Sequence, residues 1–115
     1  MKKKIESQSY TLYDKTGAWL GQVVLTSDGM FASVTDWGNF SFAWRAFGDD
    51  FKEFMAHINV SYFGTKMFTG MSYVAHPKQV EKACYKFAEK ILPPLQKILI
   101  KEKEGITIIP KSFIV

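Results

Sequence analysis

Residues 36–67 read DWGNFSFAWRAFGDDFKEFMAHINVSYFGTKM, and this stretch decides the fold. Between residues 39 and 45, large aromatic residues alternate with smaller or polar ones, so Phe40, Phe42 and Trp44 share one face of a predicted β-strand. Each of these side chains contributes about 1.5–3 kcal/mol when it is fully removed from water. The pattern therefore predicts that the three rings form the floor of the core.

A helix is predicted to begin directly after this strand. Asp50 and Glu53 have the spacing of a capping box, in which polar side chains at a helix start satisfy its free N–H groups. The residues that follow form an apolar stripe at helical spacing: Phe51, Phe54, Met55 and Ile58. The stripe is predicted to lie across the aromatic strand in one shared core. A second, short helix is predicted over residues 62–68.

The same stretch resembles the core of small accessory proteins of bacteriophages and prophages. The resemblance rests on a Gly-aromatic-Ser-aromatic strand, a Phe-rich helix and a Tyr-x-x-x-Lys segment from Tyr62 to Lys66, and it covers about a quarter of the chain. One position departs from it, because Ser61 stands where such proteins have an acidic residue before the tyrosine. The resemblance implies a phage or mobile-element origin. It also implies one of the usual activities of such proteins, which are inhibition of host machinery and nucleic-acid binding.

The N-terminal part of the chain is predicted to form a meander of short antiparallel strands. Strands are predicted over residues 3–13, 18–26 and 30–35, because turn-forming Asp and Gly residues separate them. In the second strand, Trp19 is predicted to share one face with Val23 and Leu25. Gly21 on that face marks either a bulge or room for a neighbouring aromatic ring.

The C-terminal half is predicted to be mainly helical. A helix is predicted over residues 78–92, with Pro77 at its first position. Pro93 and Pro94 are predicted to end this helix, because proline lacks an N–H donor and disfavours helical geometry in the preceding residue. A further helix is then predicted up to Gly105, a natural C-terminal stop.

The fold class predicted from these elements is α+β. A short fifth strand is predicted over residues 106–109, and the apolar tail 112–115 is predicted to dock on the fold or to meet another chain. Runs of strands followed by helices favour an antiparallel sheet of four to five strands with three to four helices packed on one face. At 115 residues, the chain is predicted to form one domain spanning residues 1–115.

The composition indicates a soluble intracellular protein, and the phage resemblance implies that its compartment is the cytoplasm of the host bacterium. The single cysteine, Cys84, excludes an internal disulfide and fits a reducing compartment. The basic residues Lys2, Lys3 and Lys4 are not followed by the apolar run of a signal peptide. The chain also lacks an apolar stretch of about 18 residues, so no membrane partner is expected.

The net charge of +4 is distributed unevenly, since residues 1–60 have a net charge of −1 and residues 61–115 a net charge of +5. Four lysines advance by four residues along the predicted helix, and each step overshoots a helical turn by about 40°. We call them the lysine row: Lys78, Lys82, Lys86 and Lys90. Such a row suits an acidic protein surface or a phosphate backbone, and it is also typical of an ordinary solvated helix.

Catalytic chemistry finds little support in the residue pattern. Cys84 lies on the apolar stripe of its helix, and it can act as a nucleophile only if His57 or His76 meets it in space. One cysteine and two histidines also lack the usual spacing of zinc ligands. Local hydrogen bonding explains the carboxylates at turns and at the helix start, namely Asp28, Asp36, Asp49 and Asp50. An acid pair as in glycosidases requires a spatial separation that the sequence does not show. We therefore predict no catalytic residue, no metal, no cofactor and no enzymatic activity.

The predicted partner-binding residues are the lysine row together with Trp37 and Arg45. The strand aromatics could stack on bases, as in single-strand binders, but a face that packs against a helix is usually core. Trp37 in a turn is thus the best exposed aromatic residue, and Arg45 is the basic residue beside the strand.

Two functional hypotheses follow. The first is a non-enzymatic phage or mobile-element protein that docks on and inhibits a host protein, such as a nucleic-acid-targeting defence nuclease of the CRISPR type. The alternative is an accessory protein that binds nucleic acid directly through the lysine row. The sequence leaves the identity of the partner and the oligomeric state open.

Overall fold

The structure is a computed structural model that describes residues 4–71 and 76–105. These residues form an α+β fold with four strands and three helices, which confirms the predicted class. The strands form one antiparallel sheet in the order β1-β2-β3-β4. The elements are β1 (Ser7–Tyr13), β2 (Trp19–Thr26), β3 (Met30–Thr35), β4 (Gly38–Ala43), α1 (Phe51–His57), α2 (Val60–Thr69) and α3 (Pro77–Lys103). The predicted fifth strand over residues 106–109 and the tail 112–115 lie outside the described residues.

Strands β1, β3 and β4 alternate between a core side and an outer side, as the period-2 pattern predicted. Tyr10 and Leu12 of β1 are buried, and Phe31 of β3 is fully buried. The helices pack against this side of the sheet, with Phe87 of α3 stacked on Phe40 of β4 at a ring-centroid distance of 4.1 Å. The core therefore lies between one sheet face and the helical layer.

Strand β2 contains a bulge beside Gly21, one of the two arrangements predicted there. Leu12 of β1 pairs with Gly21, but the following residue, Tyr13, pairs with Trp19, so Leu20 is the extra residue. The bulge changes the side-chain direction, and Trp19 is 39 % exposed. The two other predicted members of its face are buried, namely Val23 and Leu25. The prediction that Trp19 shares their buried face is therefore wrong.

The aromatic strand forms much of the core floor, as predicted. Phe40 and Trp44 are buried, whereas Phe42 is only half-buried. Trp44 lies just beyond the end of β4, where its backbone N–H donates to the Gly29 carbonyl at 2.8 Å and its indole N–H donates to the Tyr62 hydroxyl at 3.0 Å. Trp44 thus joins the sheet to α2.

Helix α1 has the predicted cap at Asp50, whose carboxylate accepts hydrogen bonds from the backbone N–H groups of Lys52 and Glu53 at 2.9 and 3.3 Å. The predicted second half of the capping box does not form. The Glu53 carboxylate lies 2.7 Å from Lys103 Nζ and 3.0 Å from His57 Nε2, because charged partners form stronger bonds than a backbone N–H group. The predicted second helix is α2, which Asn59 caps by accepting from the Tyr62 N–H.

The prediction of two helices separated by Pro93 and Pro94 is wrong, because α3 runs through both prolines. An interior proline costs about 3 kcal/mol or more, since its missing N–H leaves a carbonyl one turn earlier without a partner. The apolar stripe continues on both sides of the pair and is buried at Ile91, Leu92, Leu95, Ile98 and Leu99. At about 1.5–3 kcal/mol for each side chain, this burial outweighs the cost of the prolines.

Candidate functional site

All four lysines of the lysine row are exposed on α3. The opposite side of the helix is shielded, and Cys84, Phe87 and Ile91 have no exposed surface. Three ion pairs form among the described residues, and none of them includes a lysine of the row. The row spans twelve residues and therefore about 18 Å of helix axis. Its ammonium groups face solvent and are accessible to an acidic partner.

The C-terminal end of the row borders a groove of about 460 Å³ between the β1–β2 turn, the β3–β4 turn and the middle of α3. We call it the tryptophan groove. Its apolar lining comes from Trp19, Leu20, Trp37, Pro93 and Pro94. Its charged lining comes from Asp14, Lys15, Asp36, Glu89, Lys90 and Lys97. The groove thus brings together two residues that were predicted separately, Trp37 and Lys90.

The charges that line the groove balance each other, because three lysines are accompanied by three carboxylates. The groove is therefore distinguished by its two indole rings and its prolines. The excess positive charge lies outside the groove, on the other three lysines of the row. A partner that covers both features needs a large apolar side chain for the groove and acidic groups along the helix.

Asp14, at the edge of the groove, is held by its own turn. Its carboxylate accepts hydrogen bonds from the Thr16 hydroxyl, the Thr16 N–H and the Ala18 N–H at 2.6, 2.8 and 2.9 Å. These bonds, above all that from the Thr16 hydroxyl, hold the pKa of the Asp14 carboxyl below its usual value. The turn that precedes Trp19 is thereby ordered by an ionised side chain.

The N-terminal end of the row borders a shallow depression, which Lys78 and Lys82 line together with Tyr85. The Tyr85 hydroxyl lies 2.6 Å from Thr65 Oγ1 of α2. The Tyr85 ring lies against Gly64, where α2 and α3 come close together. The position of the lysine row relative to α2 is therefore fixed by direct contact between the two helices.

Arg45 is the one predicted binding residue that the structure places apart from the others. It is exposed beyond the end of β4, and it lines neither the tryptophan groove nor the depression at Tyr85. The lysine row of α3 and Trp37 of the β3–β4 turn therefore meet at the tryptophan groove, through Lys90. Arg45 belongs to a different part of the surface.

The Tyr-x-x-x-Lys segment has a structural explanation. Tyr62 and Lys66 are one turn apart on α2, and Lys66 Nζ lies 5.5 Å from the ring centroids of both Tyr62 and Phe42. This cation–π arrangement covers the exposed edge of Phe42, and Tyr62 accepts the indole hydrogen bond of Trp44. Tyr62 and Lys66 thus contact the aromatic core side chains where α2 packs against β4.

The candidate catalytic groups do not converge in the described part of the chain. Cys84 is fully buried, and burial followed by the nearby Glu81 charge raises the pKa of its thiol. His57 lies on α1 beside Glu53, and His76 lies at the start of α3. The turn carboxylates are also dispersed: Asp36 lines the tryptophan groove, whereas Asp49 and Asp50 line a different pocket. Residues 4–71 and 76–105 contain no cluster of three metal-ligating side chains.

Sequence reasoning missed the groove, because its walls come from three distant parts of the chain. Trp19 was predicted to share one face with Val23 and Leu25, and Pro93 and Pro94 were interpreted only as the end of a helix. One signal was available, namely Gly21, which marked the bulge that turns Trp19 outward. Nothing local connects Trp19 or Trp37 to Lys97.

Comparison with known families identifies one match. The sequence model of a phage family, Phage_phiTE_072, matches residues 3–84, which is more than half of the chain. No curated protein and no solved structure gives a significant match. The matched range contains Trp19, Trp37, Lys78 and Lys82, whereas the second half of the lysine row lies beyond it. Among the described helices, none is long and apolar enough to cross a membrane.

Proposed function

The chain belongs to this phage family, and on that premise we propose that it is a non-enzymatic binding protein that inhibits a host protein. The proposed target is a protein of the host cytoplasm that handles nucleic acid, such as a defence nuclease of the CRISPR type. The phage origin supports a host target. The surface chemistry supports a partner with an acidic or nucleic-acid-mimicking contact region.

The observation that carries this proposal is the meeting of the lysine row and the tryptophan groove at Lys90. Interface hot spots are typically large aromatic residues in a pocket, and the two indole rings of Trp19 and Trp37 have this character. The adjacent lysines offer about 18 Å of positive charge, which steers an acidic partner and fixes its orientation. An apolar contact next to a charged strip suits a specific protein partner better than a uniform polyanion.

The proposed mechanism is steric. The groove receives an apolar side chain of the target, and Lys78, Lys82 and Lys86 contact acidic groups beside it. The bound protein then covers the surface that the target uses for its own substrate. No covalent step is required, which fits the dispersed positions of Cys84 and the turn carboxylates.

The first experiment is affinity capture of the tagged protein from host lysate, with and without nuclease treatment, followed by mass spectrometry. We expect one stoichiometric protein partner that survives the nuclease. Recovery of nucleic acid alone, with companions that the nuclease removes, would contradict the proposal.

The captured partner then allows a test of the surface. We expect the double substitution Lys82→Glu and Lys86→Glu to weaken partner binding by about tenfold or more, because two attractive contacts become repulsive. The matched control is Lys4→Glu with Lys101→Glu, which changes the net charge equally at two other exposed positions. Equal loss of affinity in both variants would show that the effect comes from net charge alone. Unchanged affinity in the Lys82→Glu and Lys86→Glu variant would exclude the row as a contact.

Direct nucleic-acid binding is the second candidate function, and the lysine row favours it because its four lysines form no ion pair with the part of the chain that the structure describes. If all four contact phosphates of duplex DNA, the logarithm of the binding constant should fall with log salt concentration with a slope of roughly −3.6. The Lys82→Glu and Lys86→Glu variant should then lose about half of that slope. Absence of binding to short DNA or RNA at low salt would eliminate this function.

A further inference from the structure

The sheet has a second face, opposite the helical layer, whose side chains alternate with those of the core. No described helix packs on it, and its residues are mostly exposed or half-buried. We call this surface the open face. Its central strands, β2 and β3, contribute Gln22, Val24, Thr26, Met30, Ala32 and Val34. Its outer strands, β1 and β4, contribute Ser7, Ser9, Thr11, Tyr13, Asn39, Ser41 and Ala43.

None of these thirteen strand positions carries a charge, although charged residues make up 23 % of the chain and about three charges would be expected at that average. The Asp28 carboxylate lies at the border of the face, where it accepts a hydrogen bond from the Thr26 hydroxyl. Two apolar side chains on this face are strongly exposed, Val34 at 53 % and Met30 at 42 %. The surface is therefore unusual for one that remains in contact with water.

The distribution of residues on the open face matches the anatomy of a protein interface. Pairing across the sheet places Ser9, Val24, Ala32 and Ser41 in one row, with the apolar residues in the middle and the hydroxyls at the two edges. The neighbouring row is Thr11, Gln22, Val34 and Asn39, in which Val34 is the central apolar residue and the other three are uncharged and polar. Specific interfaces commonly have an apolar centre depleted of charge and a polar rim. The open face has this arrangement without any adjustment of the backbone.

Charge complementarity decides what covers this face. A nucleic acid requires lysine or arginine, and a charged protein surface requires opposite charges, but the open face provides neither. A second copy of the same face presents an apolar centre to an apolar centre and leaves no strand charge buried without a partner. The lysine row lies in the helical layer, on the other side of the sheet, so two chains of charge +4 can approach through their open faces with these lysines kept apart. We infer that the open face is the two-fold interface of a homodimer in which two sheets stack face to face.

The size of the face sets the strength of this dimer. Four strands spaced by about 4.8 Å, with six to eight residues rising about 3.3 Å each, give a footprint of about 400 Å² on each copy. Specific stable interfaces bury about 800 Å² on each partner, and weaker, transient ones bury less. The dimer is therefore in reversible exchange with the monomer. It leaves the lysine row and the tryptophan groove of both copies accessible.

Sedimentation equilibrium of the purified full chain, from about 5 µM to about 1 mM, tests this inference. We expect the weight-average mass to rise with concentration towards twice the 13.1 kDa chain mass. Val34→Lys should abolish this rise, because two lysines would be buried at the centre of the interface. The matched control is Ile100→Lys, a similar substitution at a side chain that is 41 % exposed on α3, and it should dimerise like the wild type.

Ser41→Lys provides a second, exposed position on the same face in case Val34→Lys fails to fold, and it should also abolish the rise. A wild-type chain that remains monomeric throughout would overturn the inference, whether another part of its own chain or a different partner covers the face. Dimers that persist in folded Val34→Lys and Ser41→Lys would overturn it as well, because they would use another surface.

Discussion

At the scale of single residues, close contacts between elements depend on the size of one side chain. A β-carbon at Gly64 would lie 2.5 Å from Cδ1 of Tyr85, which is closer than side chains approach in folded proteins. Gly29 has a φ of +102°, and a β-carbon there would collide with the Trp44 carbonyl oxygen, whose position closes the β2–β3 turn against the end of β4. Both glycines are therefore required for packing.

We predict that Gly64→Ala destabilises the protein. Displacement of the Tyr85 ring costs about 1–3 kcal/mol as overpacking, whereas alanine gains about 1 kcal/mol of helix propensity, so a net loss of about 1 kcal/mol is expected. Urea unfolding measures the difference. In a Tyr85→Ala background the obstacle is absent, and the same substitution should stabilise by about 1 kcal/mol. Destabilisation of equal size in both backgrounds would show that the ring is not the cause.

Asp14 gives a prediction about pH. Its folded-state pKa is lowered, chiefly by the Thr16 hydroxyl, so its ionised form stabilises the fold above its usual pKa of 3.8. This contribution is lost as the pH falls through the lower, folded-state pKa. The stability difference between wild type and Asp14→Ala should therefore be largest at neutral pH and shrink below about pH 3.8. Thermal unfolding at a series of pH values measures it, and a difference independent of pH would contradict this role for the carboxylate.

At the scale of whole elements, α3 has the sequence least typical of a helix, because it contains two interior prolines, yet it is the most important helix for packing. It spans the sheet from Pro77 to Lys103, and its end is joined to β1 where the Tyr10 hydroxyl donates to Glu102 Oε1 at 2.7 Å. Helix α1 joins the same end through Glu53 and Lys103. These contacts at the C-terminal end and the buried stripe that precedes it hold the helix continuous through its two prolines.

The exposed proline of the pair gives a prediction for this element. Pro93→Ala should restore a helical N–H and remove a cost of about 3 kcal/mol. The unfolded chain becomes more flexible without the proline, which lowers the gain in stability by about 1 kcal/mol. We therefore expect a net stabilisation of about 2 kcal/mol in urea unfolding. Pro94→Ala should gain less, because Pro94 is buried and its packing would be lost. No gain at Pro93 would mean that the prolines interrupt the helix after all.

The elements also show which features a sequence can predict. The alternation at Phe40 and Trp44, the cap at Asp50 and the stripe of α1 depend on residues a few positions apart, and the structure has all three. The continuation of α3 and the outward turn of Trp19 depend on packing against distant elements. Local propensity was overridden at both places by tertiary contacts.

At the scale of the molecule, the sites lie on opposite layers. The helical layer carries the lysine row and lines the tryptophan groove together with two turns of the sheet, whereas the opposite side of the sheet carries the open face. The groove unites Trp19 and Trp37 with Lys97, and no rule of spacing connects residues so far apart. The lysine row was predictable because it needs only one helix, and the groove was not because it needs the whole fold.

The division of the core along the chain gives the last prediction. The family match ends at Cys84, but six large core side chains follow that residue in α3. They are Phe87, Ile91, Leu92, Leu95, Ile98 and Leu99. Their burial contributes about 9–18 kcal/mol, which equals or exceeds the total stability of about 5–15 kcal/mol typical of a domain.

A fragment of residues 1–84 should therefore lack cooperative unfolding and fixed near-ultraviolet circular dichroism, whereas the full chain should show both. Phe87→Ala in the full chain should lower the free energy of unfolding by about 3–5 kcal/mol without abolishing the transition, because it removes one of these side chains. A fragment that unfolds cooperatively would mean that the sheet, α1 and α2 form a sufficient core without the second half of α3. Failure of the fragment together with the measured loss at Phe87 would establish that the family-matched region depends on the second half of α3, the same helical segment whose outer residues complete the tryptophan groove.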